Sequence, residues 1–415
     1  MDVNIEKIQA NTLIRTSSRS PHHIHMNLYQ GCFHQCIYCN GISDNYHMHD
    51  DFGETIKAKI NAPELFEKYL IKEGYCPFNR NGTTTLDNFI SDQNKIVNSS
   101  KRPDFILSLF GNVCDVYQPA EKQIQLTRTL LQIASNYRVP VRLLTKSDLV
   151  LRDLDLLKEL HKIAFVRVAF TITLFNENDQ RNFEPNASST YSRLKALALL
   201  RKEGIPAGAY ITPIIPFIGD SDENLENIFS FLHQIDSEFV ITGGLTLKPG
   251  RNKELFLKMV KEKYPTIYQK MNNLYSNDNP YGQPDPIYAN KLNLIKPVQK
   301  GYELARKYRL NFFEPRYIPN VKFVKNLEIA TLLARIGFLK AEIQCENLSQ
   351  ANEFRHAASW LEFLDSDISS FTDIEYKQLK FSPSVVSTIR EILETGVSSF
   401  LVHNHDFGEI LYSRI

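Results

Sequence analysis

Long apolar runs are missing from this sequence. Nowhere do about 18 apolar residues follow one another, so no membrane-spanning helix is expected. The opening stretch MDVNIEKIQANTLIRTSSRS lacks the apolar core of a secretory signal. Cysteine is scarce, with six in 415 residues. That excludes the disulfide framework of a small secreted scaffold and points to metal or redox chemistry in a reducing cytosol. An excess of one charge is missing too, since the formal net charge is +1. The balance hides a split. From Leu327 to Ile415 seven Lys/Arg stand against thirteen Asp/Glu, a net of −6, and the remainder carries +7. A polyanion would approach the first part more readily than the tail. There is no internal repeat beyond a strand–helix alternation, and no low-complexity tail. What is present suffices for a sizeable core: 43% of the residues are hydrophobic, and the length suits one large domain with an attachment, or two to three domains.

Half of the scarce cysteines crowd into MNLYQGCFHQCIYCNG, as Cys32, Cys36 and Cys39. Three free thiols so close together would be prone to oxidation. A structural zinc would need a fourth ligand, for which His34, His47 and His49 are at hand. Three thiolates on one short loop suit a 4Fe–4S cluster better, and leave one iron open to a ligand from outside the protein. Gly31, just before Cys32, would let the backbone pass close to the cluster.

The Cys-x3-Cys-x2-Cys spacing, with Tyr38 before the third cysteine, resembles the radical S-adenosylmethionine (SAM) superfamily. The resemblance implies that Cys32, Cys36 and Cys39 hold the cluster, that the open iron binds the amino and carboxylate groups of SAM, and that Tyr38 lies against the adenine. It also implies reductive cleavage of SAM to methionine and a 5′-deoxyadenosyl radical, fed by an electron donor such as a flavodoxin or ferredoxin.

Beyond the cysteines, NAPELFEKYLIKEG reads as a helix with Asn61 as N-cap, Pro63 in the first turn and Gly74 as stop. Residues 79–102 are polar and read as a loop or insertion. Strands and helices then alternate. DFILSLFG, VPVRLLTKS, FVRVAFTITL, IPAGAYITPIIP and FVITGGLTLKPG read as strands. QIQLTRTLLQIASNY, RDLDLLKELHKI, STYSRLKALALLRKEG and DENLENIFSFLHQI read as helices. Such alternation predicts an α/β fold with a parallel sheet, a partial TIM-like (βα) barrel whose functional groups sit at strand ends.

The strand-end stretches FGNVCDVYQPAE, TKS, FEPNASSTYSRL, TPIIPFIGD and LTLKPGR, with NLYQGC and NAPEL upstream, resemble the spore photoproduct lyase-like branch of that superfamily over residues 23 to 265. The resemblance implies that Gly111 opens backbone for the methionyl group of SAM. Lys146 and Ser147 would contact its carboxylate or ribose, and Glu184 and Arg193 would touch SAM or substrate. A lysine and an arginine suit a carboxylate and a glutamate suits ribose hydroxyls. Lys146 as a solvated strand-end residue and Glu184–Arg193 as an ordinary salt bridge are the plainer alternatives. Cys114 lies where that branch has a cysteine that donates a hydrogen atom to its product radical. A weak S–H bond and a polarizable sulfur suit the task, and a small buried hydrophobe is the alternative. Asn40 departs from the branch, which has a tyrosine there as part of a radical relay; Tyr117 is the candidate substitute.

From about Asn326 the pattern turns helical, in NLEIATLLARIGFL, ANEFRHAASWLEFLDSDI and SPSVVSTIREILETG, with apolar positions recurring at three and four. These stretches resemble the small helical N-terminal domain of the polymerase β family, so a small all-α C-terminal domain is expected. The departures matter. KFSPS, residues 380–384, stands where that family has a Gly-x-Gly hairpin against a DNA phosphate, and Thr388 stands where it has its lyase lysine. The preceding stretch RKYRLNFFEPRYIPNVKFVKN mixes cations with aromatics, as single-strand binders do, or is an interdomain connector with core aromatics. The expected division is a radical SAM domain over 1–270, a linker and extension over 271–325 and the helical domain over 326–415. The expected activity is a probable lyase acting on damaged DNA. The alternatives are the same machinery on RNA, protein or a small molecule, and a non-catalytic nucleic-acid-associated protein with a structural Fe–S or zinc site.

Overall fold

The computed structural model describes residues 4–17, 20–46, 48–78, 101–110, 114–277, 279–345 and 347–404. Gly111, His47 and nearly all of the polar stretch 79–102 lie outside the described residues. The chain divides into two compact units, Met1–Glu314 and Pro315–Arg414.

The first unit is α/β. Its strands are β1 (Asn4–Ile8), β2 (Ile14–Ser17), β3 (Ser20–Met26), β4 (Tyr29–Gln30), β5 (Thr55–Lys59), β6 (Ile106–Leu109), β7 (Val141–Thr145), β8 (Val166–Thr171), β9 (Ala207–Ile214) and β10 (Val240–Gly244). The main sheet has the order β10-β9-β8-β7-β6-β3-β2, and β1, β5 and β4 form a small second sheet. Within the main sheet the pairings from β3 through β6 to β10 are parallel and β2 runs antiparallel against β3; in the small sheet β5 pairs with β1 in parallel and with β4 antiparallel.

The strands from β6 to β10 lie side by side in chain order. Helices Leu126–Tyr137, Leu154–His161, Thr190–Lys202 and Asp222–Gln234 fill the four connections. Crossovers of one hand in an in-order sheet put every helix on the same face. The strand ends are left for chemistry. The hydrophobic pattern agrees. All six residues of β8 are buried, as expected of a parallel strand covered on both sides. In β7, Val141, Leu143 and Thr145 are buried while Arg142 and Leu144 are partly open. Alternation places Lys146, just past the strand, on the face of Arg142 and Leu144.

Side-chain caps start several of the helices. Ser189 accepts from the Ser192 N–H at 3.1 Å and Ser221 from the Asn224 N–H at 3.2 Å. Asn61 departs from expectation. It precedes Ala62–Lys72 but makes no side-chain cap. Its amide instead accepts from the Ala10 N–H at 2.8 Å and donates to the Ala10 carbonyl at 2.9 Å. Two bonds to a distant backbone replace one local cap. Gly74, at φ +81°, ends that helix as expected.

The second unit is helical over its described residues, with Val324–Phe338, Leu348–Leu361, Asp373–Gln378, Pro383–Thr395 and Ser399–His403. Thr372 and Glu375 form a capping box. The stretch without glycine still makes its left-handed turn: Lys380 itself adopts φ +55°. A lysine there tolerates the conformation at some cost, but its side chain occupies space that glycine would leave open. Thr388 donates to the Ser384 carbonyl at 3.0 Å. Among the described residues no helix is long and apolar enough to cross a membrane.

Candidate functional site

The cysteine loop follows β4 and is built from short turns. The carbonyls of Cys32, Cys36 and Cys39 accept from the N–H groups of Gln35, Cys39 and Ile42 at 3.2, 3.0 and 3.1 Å. These turns bring three separated cysteines to one side of the loop. Gly31 makes the entry possible, for a reason the sequence did not suggest. At φ +87°, a Cβ there would lie 2.6 Å from the Phe52 carbonyl oxygen and 2.8 Å from that of Thr55. The close approach is therefore to the chain entering β5, and Cys32 N–H donates to the same Phe52 oxygen at 3.1 Å.

Cys32, Cys36 and Cys39 line one cavity of about 90 Å³, together with Cys114, Asp115, Lys146, Tyr38, Leu144 and Thr171. Leu144 and Lys146 stand at the C-terminal end of β7, Thr171 at that of β8, and Cys114 and Asp115 on the segment after β6. None of Cys32, Cys36, Cys39 and Cys114 is in a disulfide. Burial pushes each of the three loop thiols above its ordinary value; for Cys36 and Cys39 the Lys146 ammonium works against that rise. Burial likewise raises Lys146's cost of charge, but Cys36, Glu184 and Asp115 outweigh it, so its pKa is raised and it stays cationic. Lys146 Nζ stands 5.8 Å from the Tyr38 ring centre.

Tyr38 is fixed from behind. Its hydroxyl donates to Glu184 Oε1, which also accepts from Thr173 Oγ1 at 2.9 Å. The other Glu184 oxygen pairs with Arg193, and Arg193 donates to the Thr171 carbonyl at 2.7 Å. Glu184 and Arg193 are fully buried. Burial opposes the Glu184 charge, but Arg193, Lys146 and the Tyr38 hydroxyl hold its carboxyl at about 2. These two residues support the Tyr38 wall and do not line the cavity. Ser147 is also set back: its hydroxyl caps the following turn, accepting from the Leu149 N–H at 3.2 Å.

Cys114 faces the cavity with the three loop cysteines, and burial pushes its thiol up to about 12. Tyr117 does not. It is fully buried, and burial with the nearby Asp153 and Glu121 carboxylates drives its pKa well up. Asn40 bonds outward, donating to Thr246 Oγ1 at 2.8 Å and accepting from Asn252 Nδ2 at 3.3 Å. The structure thus brings together Tyr38, Lys146, Cys114 and the three loop cysteines, and leaves Ser147, Glu184, Arg193 and Tyr117 outside the lining.

Sequence reasoning missed Asp115. Its carboxylate accepts from Thr145 Oγ1 and the Tyr117 N–H, both at 2.8 Å, and from the Lys146 N–H at 2.7 Å. His34 Nε2 faces it at 3.3 Å. Burial opposes its charge, yet His34 and the backbone donors hold it at about 2. The other His34 nitrogen faces the Asn186 carbonyl at 3.3 Å. Both ring nitrogens of His34 therefore look towards protein oxygens. The signal is local: Asp115 directly follows Cys114 just past a strand.

The fold and the site together define a parallel α/β protein with a cysteine-rich cavity at its strand ends. No family model matches the chain. An uncharacterized protein of Methanocaldococcus jannaschii is 30% identical over 272 residues, 65% of this chain and 88% of the relative. The chain belongs to the family of that protein. An uncharacterized protein of Mycobacterium tuberculosis is 23% identical over 289 residues, covering 68% and 76% of the two chains. Among solved structures, a spore photoproduct lyase variant gives a TM-score of 0.47 at 14% identity, over 73% of this chain and 79% of that one. The cobalamin-dependent S-adenosylmethionine radical enzyme OxsB gives 0.36 at 10% identity, over 92% and 55%.

Proposed function

We propose that the protein is a radical SAM enzyme whose substrate is damaged nucleic acid, DNA first. One observation carries the reading: three thiols in the Cys-x3-Cys-x2-Cys spacing share one cavity with a cationic Lys146, the Tyr38 ring and a fourth thiol, Cys114. The residues fit a 4Fe–4S cluster. The donor set is all thiol, carried on one short loop and lining one cavity. Three thiolates that leave one position open suit a cluster better than a structural zinc, which takes four protein ligands.

Cys32, Cys36 and Cys39 would hold the cluster, which when reduced would supply the electron for cleaving SAM to a 5′-deoxyadenosyl radical. The chain's own residues hold and orient. Lys146 Nζ offers a charge-assisted donor to the SAM carboxylate. Tyr38, locked by Glu184, offers its face to the adenine. Cys114, with its thiol pushed up to about 12, carries a hydrogen on Sγ at neutral pH. That protonated state is the one a hydrogen-atom donor needs. A lesion in a duplex would have to be extruded to reach the cavity, which costs least at a damaged base. In this reading the sheet is the partial barrel of the superfamily, a flavodoxin or ferredoxin supplies the electron, and the acidic helical unit serves as a packing module or partner surface.

The test is 5′-deoxyadenosine release. Protein reconstituted anaerobically with iron and sulfide is reduced and given SAM with intact or UV-irradiated DNA. Release stimulated by irradiated DNA is expected. Slow release indifferent to DNA would move the substrate to RNA, protein or a small molecule, and no release from a verified cluster would overturn the enzyme reading. Cys114→Ala is expected to keep SAM cleavage and change the product distribution, read by mass spectrometry. Unchanged products would remove Cys114 from the chemistry.

A further inference from the structure

We propose that residues 115–121 form a brace that holds the cysteine loop in shape before any cluster is bound, with Gln118 as its central positioning residue. The functional meaning of the brace rests on the cluster reading above; its existence does not.

Two successive turns space the brace. Gln118 N–H donates to the Asp115 carbonyl at 3.3 Å and Glu121 N–H to the Gln118 carbonyl at 2.9 Å. Residues 115, 118 and 121 therefore face one way, and each reaches a different point on residues 29–34. Glu121 accepts from the Tyr29 hydroxyl. Gln118 Nε2 donates to the Gly31 carbonyl at 3.1 Å, and its Oε1 accepts from the Phe33 N–H at 2.8 Å. Asp115 faces His34 at 3.3 Å. The two stretches run in opposite directions, and the Gln118 bonds fall on both sides of Cys32.

Gln118 is fully buried, where an unpaired amide would be costly. Its side chain does what a neighbouring strand's peptide group would do, giving one donor and one acceptor to the loop backbone. The far side of the brace is anchored in the scaffold. Glu121 accepts from the Thr127 N–H at 3.1 Å and from Arg152 at 2.8 Å, and Asp115 holds the end of β7. Cys114 directly precedes the brace, so one rigid segment sets both the loop cysteines and the fourth thiol. Order established in advance lowers the ordering cost of binding the cluster.

The test compares cluster-free wild type, Gln118→Ala and Gln118→Glu by hydrogen exchange with mass spectrometry, then counts iron and labile sulfide per chain after reconstitution. Gln118→Glu keeps the acceptor for Phe33 and loses the donor to Gly31. In Gln118→Ala, peptides over residues 29–39 are expected to exchange about tenfold faster. Peptides from β7 to β9 should keep wild-type rates, and cluster content should fall. Gln118→Glu should lie between. Should Gln118→Ala exchange rapidly throughout, the Gln118→Glu peptides decide the matter. Wild-type exchange over residues 29–39 in the folded variants would overturn the brace. A wild type that takes up no cluster would overturn the cluster reading alone, because the exchange is measured without one.

Discussion

Lys146 and Glu184 illustrate two different uses of a buried charge. Lys146 reaches into the cavity, so its value lies in what it binds. Lys146→Met is expected to keep iron content and weaken SAM binding about 10–100-fold, the loss of one charge-assisted hydrogen bond. Equilibrium binding to the reconstituted protein checks this, and unchanged affinity would remove Lys146 from the SAM site. Glu184 is spent on the protein itself. Glu184→Gln leaves Arg193 charged and unmatched in the interior, a loss of about 3–5 kcal/mol, read by urea unfolding. The pH dependence has a definite sign. The Glu184 carboxyl is held at about 2, against an ordinary 4.5. A depressed carboxylate contributes stability that is present above about 4.5 and lost as pH falls through about 2. Wild type should therefore lose more stability than Glu184→Gln between those two values, and parallel acid profiles would refute the assignment.

The cysteine loop depends on its entry as much as on its thiols. Gly31→Ala would drive a methyl into two carbonyl oxygens at a left-handed φ. A destabilisation of about 1–3 kcal/mol is expected, with reduced iron uptake; a melting temperature and iron content equal to wild type would show that the turn can relax. Elements such as β7, β8 and the helix Thr190–Lys202 were legible in the sequence, because apolar runs bounded by turn residues state their own periodicity. The last strand was read too long. β10 stops at Gly244, where its register against β9 shifts. That the cysteines and Lys146 would come together was legible through their spacing and strand-end position, and they line one cavity. The brace was not. Gln118 and its backbone partners are 85 and 87 residues apart, and nothing local in DVYQPAE says which distant peptide groups lack partners. Asn61 failed for the same reason, since its amide answers to Ala10, 51 residues away.

The two compact units unfold independently in this reading, because each has its own core. Calorimetry should show two transitions, of which only that of Met1–Glu314 moves when the cluster is removed, since a ligand stabilises only the unit that binds it. A single transition, or a shift in both, would show that the units are energetically one. The in-order sheet has a further consequence, for synthesis. Domains fold as the chain emerges, at about 5–20 residues per second. Strands β6 to β10 lie side by side in the order in which the ribosome releases them. Each new strand finds its predecessor already waiting at an open edge, so the sheet grows by accretion in one direction. The cysteine loop comes first, its brace next, then Lys146 and Thr171. The cavity proposed for the cluster is thus walled in while the helical unit is still unmade.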